Sequence, residues 1–151
     1  MIYGIGTDIL RLERMEKIWA RHGERLADKI LGPEERREFD RRLVTHRRPA
    51  RYLAMAFAGK EAFVKALGTG FHGVAYADAG VVHLKTGKPV LVFSPRMRVR
   101  LKRLGISGGH VSLSDEGGLI CAMVVLEGGA APRKPVPTRP AKSVKVSRRR
   151  T

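Results

Sequence analysis

Two carboxylates and one amine are the residues of this chain whose types and spacing can do chemistry. Glu61 and Lys65 stand four residues apart within Phe57-Ala58-Gly59-Lys60-Glu61-Ala62-Phe63-Val64-Lys65-Ala66-Leu67. On a helix they share one face, one turn apart. Leu53, Phe57, Phe63, Val64 and Leu67 make the segment largely apolar, and charged groups there need partners or metals because burying an unpaired charge is costly. The plain alternative is an ion pair on a solvated helix face, which the apolar flanks disfavour. Asp8 is the second carboxylate. It comes at the end of a strand-like stretch, where α/β folds commonly place metal ligands and catalytic groups; a helix N-cap is the alternative. Gly68-Thr69-Gly70 ends the Glu61 helix and gives the backbone freedom to approach a phosphate.

These groups need elements to hold them. Met1 to Asp8 reads as a strand, and Leu10 to Ala20 as a helix with Leu12, Met15 and Ile18 or Trp19 inward. Arg11, Arg14, Lys17 and Arg21 form a basic stripe on its outer side, solvated by default and suited to docking an anion. Gly23 ends it, and Glu24 to Leu31 is a second helix. Pro33 opens a third, running to about Leu43, with Glu34, Glu35 and Glu38 near its start. Pro49 opens the long helix Ala50 to Leu67, and His46 before it reads as a surface residue. The pattern then alternates. Ala79 to Leu84 and Pro89 to Phe93 are strands joined by Lys85-Thr86-Gly87-Lys88. A basic helix runs from Ser94-Pro95 to Gly105, and Val111 to Ser114 with Leu119 to Leu126 make a second strand pair. The order predicts an α+β domain with a mainly antiparallel sheet.

The chain has 151 residues, 43% of them hydrophobic, which suits one globular domain. Cys121, the only cysteine, lies in an apolar run and is expected to be a buried small hydrophobe. No signal peptide and no membrane-length run is visible, so a soluble cytoplasmic protein is expected. Net charge is +16; from Gly128 onward eight basic residues stand without an acid, leaving 22 basic against 14 acidic residues before them. The body's excess calls for an anionic partner. Gly128 to Thr151, rich in Gly, Ala, Pro and cations, is read as a basic disordered tail.

Four blocks carry a resemblance: Gly6-Thr7-Asp8-Ile9, the stretch Phe57 to Gly70, Thr86-Gly87-Lys88-Pro89, and His110-Val111-Ser112-Leu113-Ser114. Together, and in this order, they resemble the holo-acyl-carrier-protein synthases, the short homotrimeric type of 4′-phosphopantetheinyl transferase, over residues 1–127. The resemblance implies that fold. It also implies transfer of 4′-phosphopantetheine from coenzyme A to a serine of apo-acyl carrier protein, releasing adenosine 3′,5′-bisphosphate, in support of fatty acid biosynthesis. By the same resemblance Asp8 and Glu61 are magnesium ligands, with manganese as a substitute, and Lys65 contacts the phosphates. Active sites fall at subunit interfaces.

The chemistry is compatible with this. Magnesium takes oxygen ligands, one or two of them carboxylates, with substrate phosphates and water completing the set. The serine proton goes to Glu61 or a metal-bound water, two alternatives the sequence leaves open. Gly68, Thr69, Gly70, Lys88, Pro89 and His110 are candidate coenzyme A contacts, with structural roles as the alternative. Arg14 and Arg21 are candidates for docking the acidic carrier protein. Asp115 stands where many relatives have histidine. A small nucleic-acid-binding protein is the main rival reading, and a transferase of secondary metabolism a third. With 6% aromatic residues and no aromatic cluster the body lacks a base-stacking platform, so nucleic acid is expected, if anywhere, on the tail.

Overall fold

The first strand is laid directly on the longest helix, and the rest of the domain is arranged around that contact. The structure is a computed structural model in which residues 1–129 are described; all but the first two residues of the expected tail lie outside them. The elements run β1 (Ile2–Arg11), α1 (Leu12–His22), α2 (Glu24–Ile30), α3 (Pro33–His46), α4 (Pro49–Leu67), a single 3-10 turn at Tyr76–Asp78, β2 (Ala79–His83), β3 (Pro89–Phe93), α5 (Pro95–Arg103), β4 (Ile106–Glu116) and β5 (Leu119–Gly128). One antiparallel sheet has the order β1-β5-β4, and β2 and β3 form a separate antiparallel hairpin. The α+β class with antiparallel sheets is as expected.

Local chemistry sets the ends of the helices. Proline occupies the first turn of α3, α4 and α5, where its missing N–H is not needed. Ser94 caps α5 by accepting the Met97 N–H at 3.1 Å. Gly68 closes α4 at φ 80, its N–H shared between the Val64 and Lys65 carbonyls.

Helix α4 is the axis of the core. Leu53, Ala58, Ala62 and Phe63 are fully buried, facing the equally buried Ile120, Ala122 and Val124 of β5. Each large apolar side chain so buried contributes roughly 1.5–3 kcal/mol. The other face of the same sheet is different. Ile5 and Ile9 of β1 and Met123 of β5 are exposed hydrophobics, in register with Val125, Cys121 and Thr7.

Three expectations change. β1 continues to Arg11 and α1 begins at Leu12, so Asp8 is inside a strand and caps nothing. The N-cap of α1 is Arg11, without a side-chain cap, which is why the junction left no signal. β4 is longer than Val111 to Ser114 because the strand alternation continues through Gly108 and Gly109. Cys121 is half-exposed on the open face of the sheet instead of buried, because β5 is covered by α4 on one side only. Among the described residues no helix is long and apolar enough to cross a membrane.

Candidate active site

The site exists because β1 and α4 touch backbone to backbone. A Cβ on Gly4 would lie 1.9 Å from the Ala66 carbonyl oxygen, and one on Gly6 would lie 2.1 Å from that of Ala62. Only glycine permits this approach. Strand alternation then turns Asp8, two residues on, toward the same helix, where Glu61 and Lys65 wait. Lys65 Nζ donates to Asp8 Oδ1 at 2.7 Å and to the Thr7 carbonyl at 3.0 Å. Its ion pair is therefore with β1, not with Glu61.

Glu61 completes the group. Burial pushes its carboxyl above the ordinary range, and the Asp8 charge pushes further the same way; Lys65 and Arg14 pull against them. Asp8 is thus close enough for the two carboxylates to repel. Like charges held together in this way are relieved by a proton or a cation. The Asp8 side chain is 15% exposed and that of Lys65 48%, so the cluster opens to solvent on one side.

Next to it is an apolar cavity of about 220 Å³, lined in part by Leu10, Met15, Ile18 and Phe57, with Arg14 and Lys29 among its cationic members. Arg21 lies farther along the α1 surface, beside Arg14 and Lys17 in an open basic groove. The glycine exit of α4 is braced by aromatic contacts: Tyr76 packs on Phe71 with ring centroids 4.6 Å apart and on Phe57 at 5.9 Å. Thr69 bonds within the exit itself, its hydroxyl donating to the Gly70 carbonyl.

Other candidates are not brought to the cluster. Lys88 and Pro89 belong to the β2–β3 hairpin, and no hydrogen bond or ion pair joins them to Asp8, Glu61 or Lys65 among the described residues. His110 is paired with Val125 and faces the open side of the sheet, with Nε2 3.3 Å from Glu127 Oε2. Asp8 is on the covered side. Asp115 has a definite partner: it accepts from Arg51 Nε, tying β4 to the first turns of α4.

Sequence reasoning missed one pair. Lys60 and Glu35 are both buried and joined at 2.5 Å. Lys60 also donates to the Tyr76 and Ala79 carbonyls, while Glu35 accepts the Gly32 and Val81 N–H groups. The pair locks α3, α4 and β2 together beside the site. Burial pushes Glu35 up and Lys60 down, and their mutual attraction works against both shifts.

No group of three or more His, Cys, Asp or Glu able to hold a metal occurs among the described residues. Two carboxylates without nitrogen or sulfur donors suit a hard cation that keeps water and takes further oxygens from a phosphate, so the donor set fits magnesium better than zinc.

The cluster thus sits on a strand buttressed by a long helix, two carboxylates and an amine at one rim. Residues 4–122 match the model of the 4′-phosphopantetheinyl transferase superfamily, and the chain belongs to that family. Over 128 residues it is 42% identical to a holo-(acyl-carrier-protein) synthase of Nitrosospira multiformis, covering 84% of this chain and 99% of that protein. The fold matches the crystal structure of the Neisseria meningitidis synthase with a TM-score of 0.77 at 43% identity, covering 84% of this chain and 99% of the other. It also matches the Helicobacter pylori synthase in complex with coenzyme A, with a TM-score of 0.67 at 26% identity, covering 82% and 99%.

Proposed function

We propose that this protein transfers the 4′-phosphopantetheine group from coenzyme A to a serine of apo-acyl carrier protein, the reaction that primes carriers for fatty acid biosynthesis. The observation that carries the reading is the convergence of Asp8, Glu61 and Lys65, from residues far apart in sequence, at one open rim. Asp8 and Glu61 would hold Mg²⁺, or Mn²⁺ in its place, which would supply charge neutralisation on the pyrophosphate oxygens.

The chain's own residues do the rest. Lys65 Nζ, already aimed at the rim, donates to the pyrophosphate and stabilises the departing bisphosphate. The carrier serine oxygen bonds to the phosphorus next to pantetheine, and the bond from that phosphorus to the bridging oxygen breaks. Adenosine 3′,5′-bisphosphate leaves with the bond's electrons. Glu61 or a water would take the serine proton. Gly68, Thr69 and Gly70 form the helix exit where coenzyme A would pass, Thr69 and Gly70 offering main-chain N–H groups while that of Gly68 is used to close α4.

Carrier docking follows from the neighbouring cavity. Arg14 at its rim, with Arg21 beyond it, meets the carrier's acidic surface, while the apolar floor receives a hydrophobic side chain. The exposed Ile5, Ile9 and Met123 face supports assembly as a homotrimer. That assembly would let His110, and with it Lys88 and Pro89, serve coenzyme A on a neighbouring subunit. A free cysteine is in keeping with a cytoplasmic setting.

The deciding experiment is the intact mass of an apo-acyl carrier protein incubated with this protein, coenzyme A and magnesium. The expected result is a gain of one phosphopantetheine, abolished by chelation. No gain with several carriers would reject the reading.

A further inference from the structure

The glycine-rich exit of α4 is held from a second helix. Between Gly68 and Val74 the chain forms neither helix nor strand, and Gly68, Gly70 and Gly73 take positive φ, at 80, 56 and 68. Glycines in such a run leave the backbone many conformations to lose. The bonds the segment makes with itself are local: the His72 N–H donates to the Thr69 carbonyl at 3.4 Å, the Val74 N–H to that of Phe71 at 3.1 Å, and the Thr69 hydroxyl to that of Gly70 at 3.1 Å.

Anchors from outside fix its path. At the far end Lys60 donates to the Tyr76 carbonyl at 2.8 Å, and the Asp78 carboxylate accepts the Ala75 N–H at 2.8 Å. Nearer the site, Arg100 of α5 donates from Nη1 to the Gly73 carbonyl at 2.9 Å. Gly73 has no side chain with which to pack on α5, and a Cβ there would lie 3.4 Å from the same Nη1. The half-buried Arg100 lines a groove of about 480 Å³ together with Gly73, Met97 and Arg103. Its neighbours on α5 are engaged elsewhere, Arg96 with Asp78 and Arg98 with the Phe93 carbonyl at 2.9 Å. Arg100 is therefore the α5 side chain that reaches the exit. A guanidinium donor makes a stronger bond to a carbonyl than a neutral donor does.

We propose that Arg100 is a positioning residue for coenzyme A: by holding Gly73 it fixes the course of Gly68-Thr69-Gly70, so that the substrate meets the Thr69 and Gly70 N–H groups already placed. The inference rests on the reading that this exit receives coenzyme A. An exposed contact of this kind stabilises a fold little. Its effect belongs in substrate affinity, because a segment already in its bound course is not ordered at the expense of binding. A cation here could also act only through its charge, by attracting an anionic substrate. Arg103 separates the two roles, since it lines the same groove and makes no hydrogen bond to the exit among the described residues.

The test is initial-rate kinetics of carrier modification together with calorimetric titration of coenzyme A, on the full-length wild type and on Arg100→Met, Arg100→Lys and Arg103→Met. Arg100→Met keeps the aliphatic stem and loses the donor. It should raise both the KM and the Kd for coenzyme A by about ten-fold, with the KM for apo-acyl carrier protein, the urea midpoint and the circular dichroism spectrum unchanged. Arg100→Lys retains a donor and should return both constants to within about three-fold of wild type. Arg103→Met removes the same charge without removing the bond and should leave them unchanged. The proposal is overturned if Arg100→Met binds coenzyme A as wild type does, or if Arg103→Met weakens binding equally. It is also overturned if Arg100→Met unfolds at lower urea and loses affinity for both substrates alike. A wild type that modifies the carrier while Arg100→Met matches it overturns this inference alone. A wild type that neither modifies a carrier nor binds coenzyme A overturns the transferase reading with it.

Discussion

Lys65 of α4 reaches across to Asp8 of β1, Nζ to Oδ1 at 2.7 Å, although Glu61 stands one turn back on its own helix. An ion pair this open, with one side chain 48% and the other 15% exposed, contributes roughly 0–1 kcal/mol to stability. Its value is positional. Lys65→Ala should shift the unfolding free energy by no more than about 1 kcal/mol while lowering transfer on the order of a hundred-fold or more. Urea denaturation and the carrier mass assay on the same preparation check this, and a variant whose turnover stays near normal contradicts the role given to Lys65.

Glu61 gives a pH prediction whose sign follows from the direction of its shift. Its folded-state pKa is raised above 4.5 by burial and by Asp8. Its contribution to stability is therefore fully present below the unfolded value and lost as pH rises through the folded one. Glu61→Gln removes that loss, so the variant should melt at or above the wild-type temperature at neutral pH, with a flatter profile just above pH 4.5. Magnesium should raise the wild-type melting temperature and leave that of Glu61→Gln unmoved, and transfer by the variant should be abolished. A wild-type melt indifferent to magnesium would sink the two-carboxylate site.

The open sheet face makes a prediction about assembly. Met123 is 44% exposed and flanked in register by Thr7 and Ser112. Met123→Glu places a charge where a partner subunit would bury it. Light scattering on the eluted protein should give three chains for wild type and one for the variant, with an unchanged circular dichroism spectrum and impaired transfer. A wild-type chain that elutes as a monomer and still transfers at full rate argues against shared sites.

Lys60 and Glu35 should behave as a buried pair. Removing one partner strands the other's charge, so Lys60→Met should cost about 3–5 kcal/mol, measured by urea denaturation. Glu35→Gln/Lys60→Met removes both charges but keeps an acceptor for only one of the Gly32 and Val81 N–H groups, which bond to different Glu35 oxygens, and should recover part of that loss. A single variant as stable as wild type would mean that water or another group satisfies Glu35.

The helices were legible because their ends are written in local chemistry: Pro33, Pro49 and Pro95 at the starts, and Gly23 and Gly68 at two of the ends. The β1–α1 junction was not, since Arg11 caps nothing and the change of period is the only mark. Cys121 misled because the run Leu119 to Leu126 is apolar at every position, so the open side of β5 left no trace. Lys60 did leave one. It falls on the stripe Leu53, Ala56, Phe63 and Leu67, the face that α4 buries, and a lysine there demands a buried acid. Which acid could not be read, because Glu35 is 25 residues away. The meeting of Asp8 with Lys65 depends likewise on a separation of 57 residues, closed only by the glycines of β1.

Those glycines have a mechanical consequence. At Gly4 and Gly6 main chain rests on main chain, so little flexible side chain beyond that of Lys65 is there to absorb a displacement. Asp8 points toward α4 while its neighbours Thr7 and Ile9 point the opposite way, onto the open sheet face. Any pull on Asp8 is handed through a stiff strand to that face, and pressure on the face is handed back. Ligand occupancy and the fit of that outer surface are thus wired to one lever, and a change on either side of β1 should register on both.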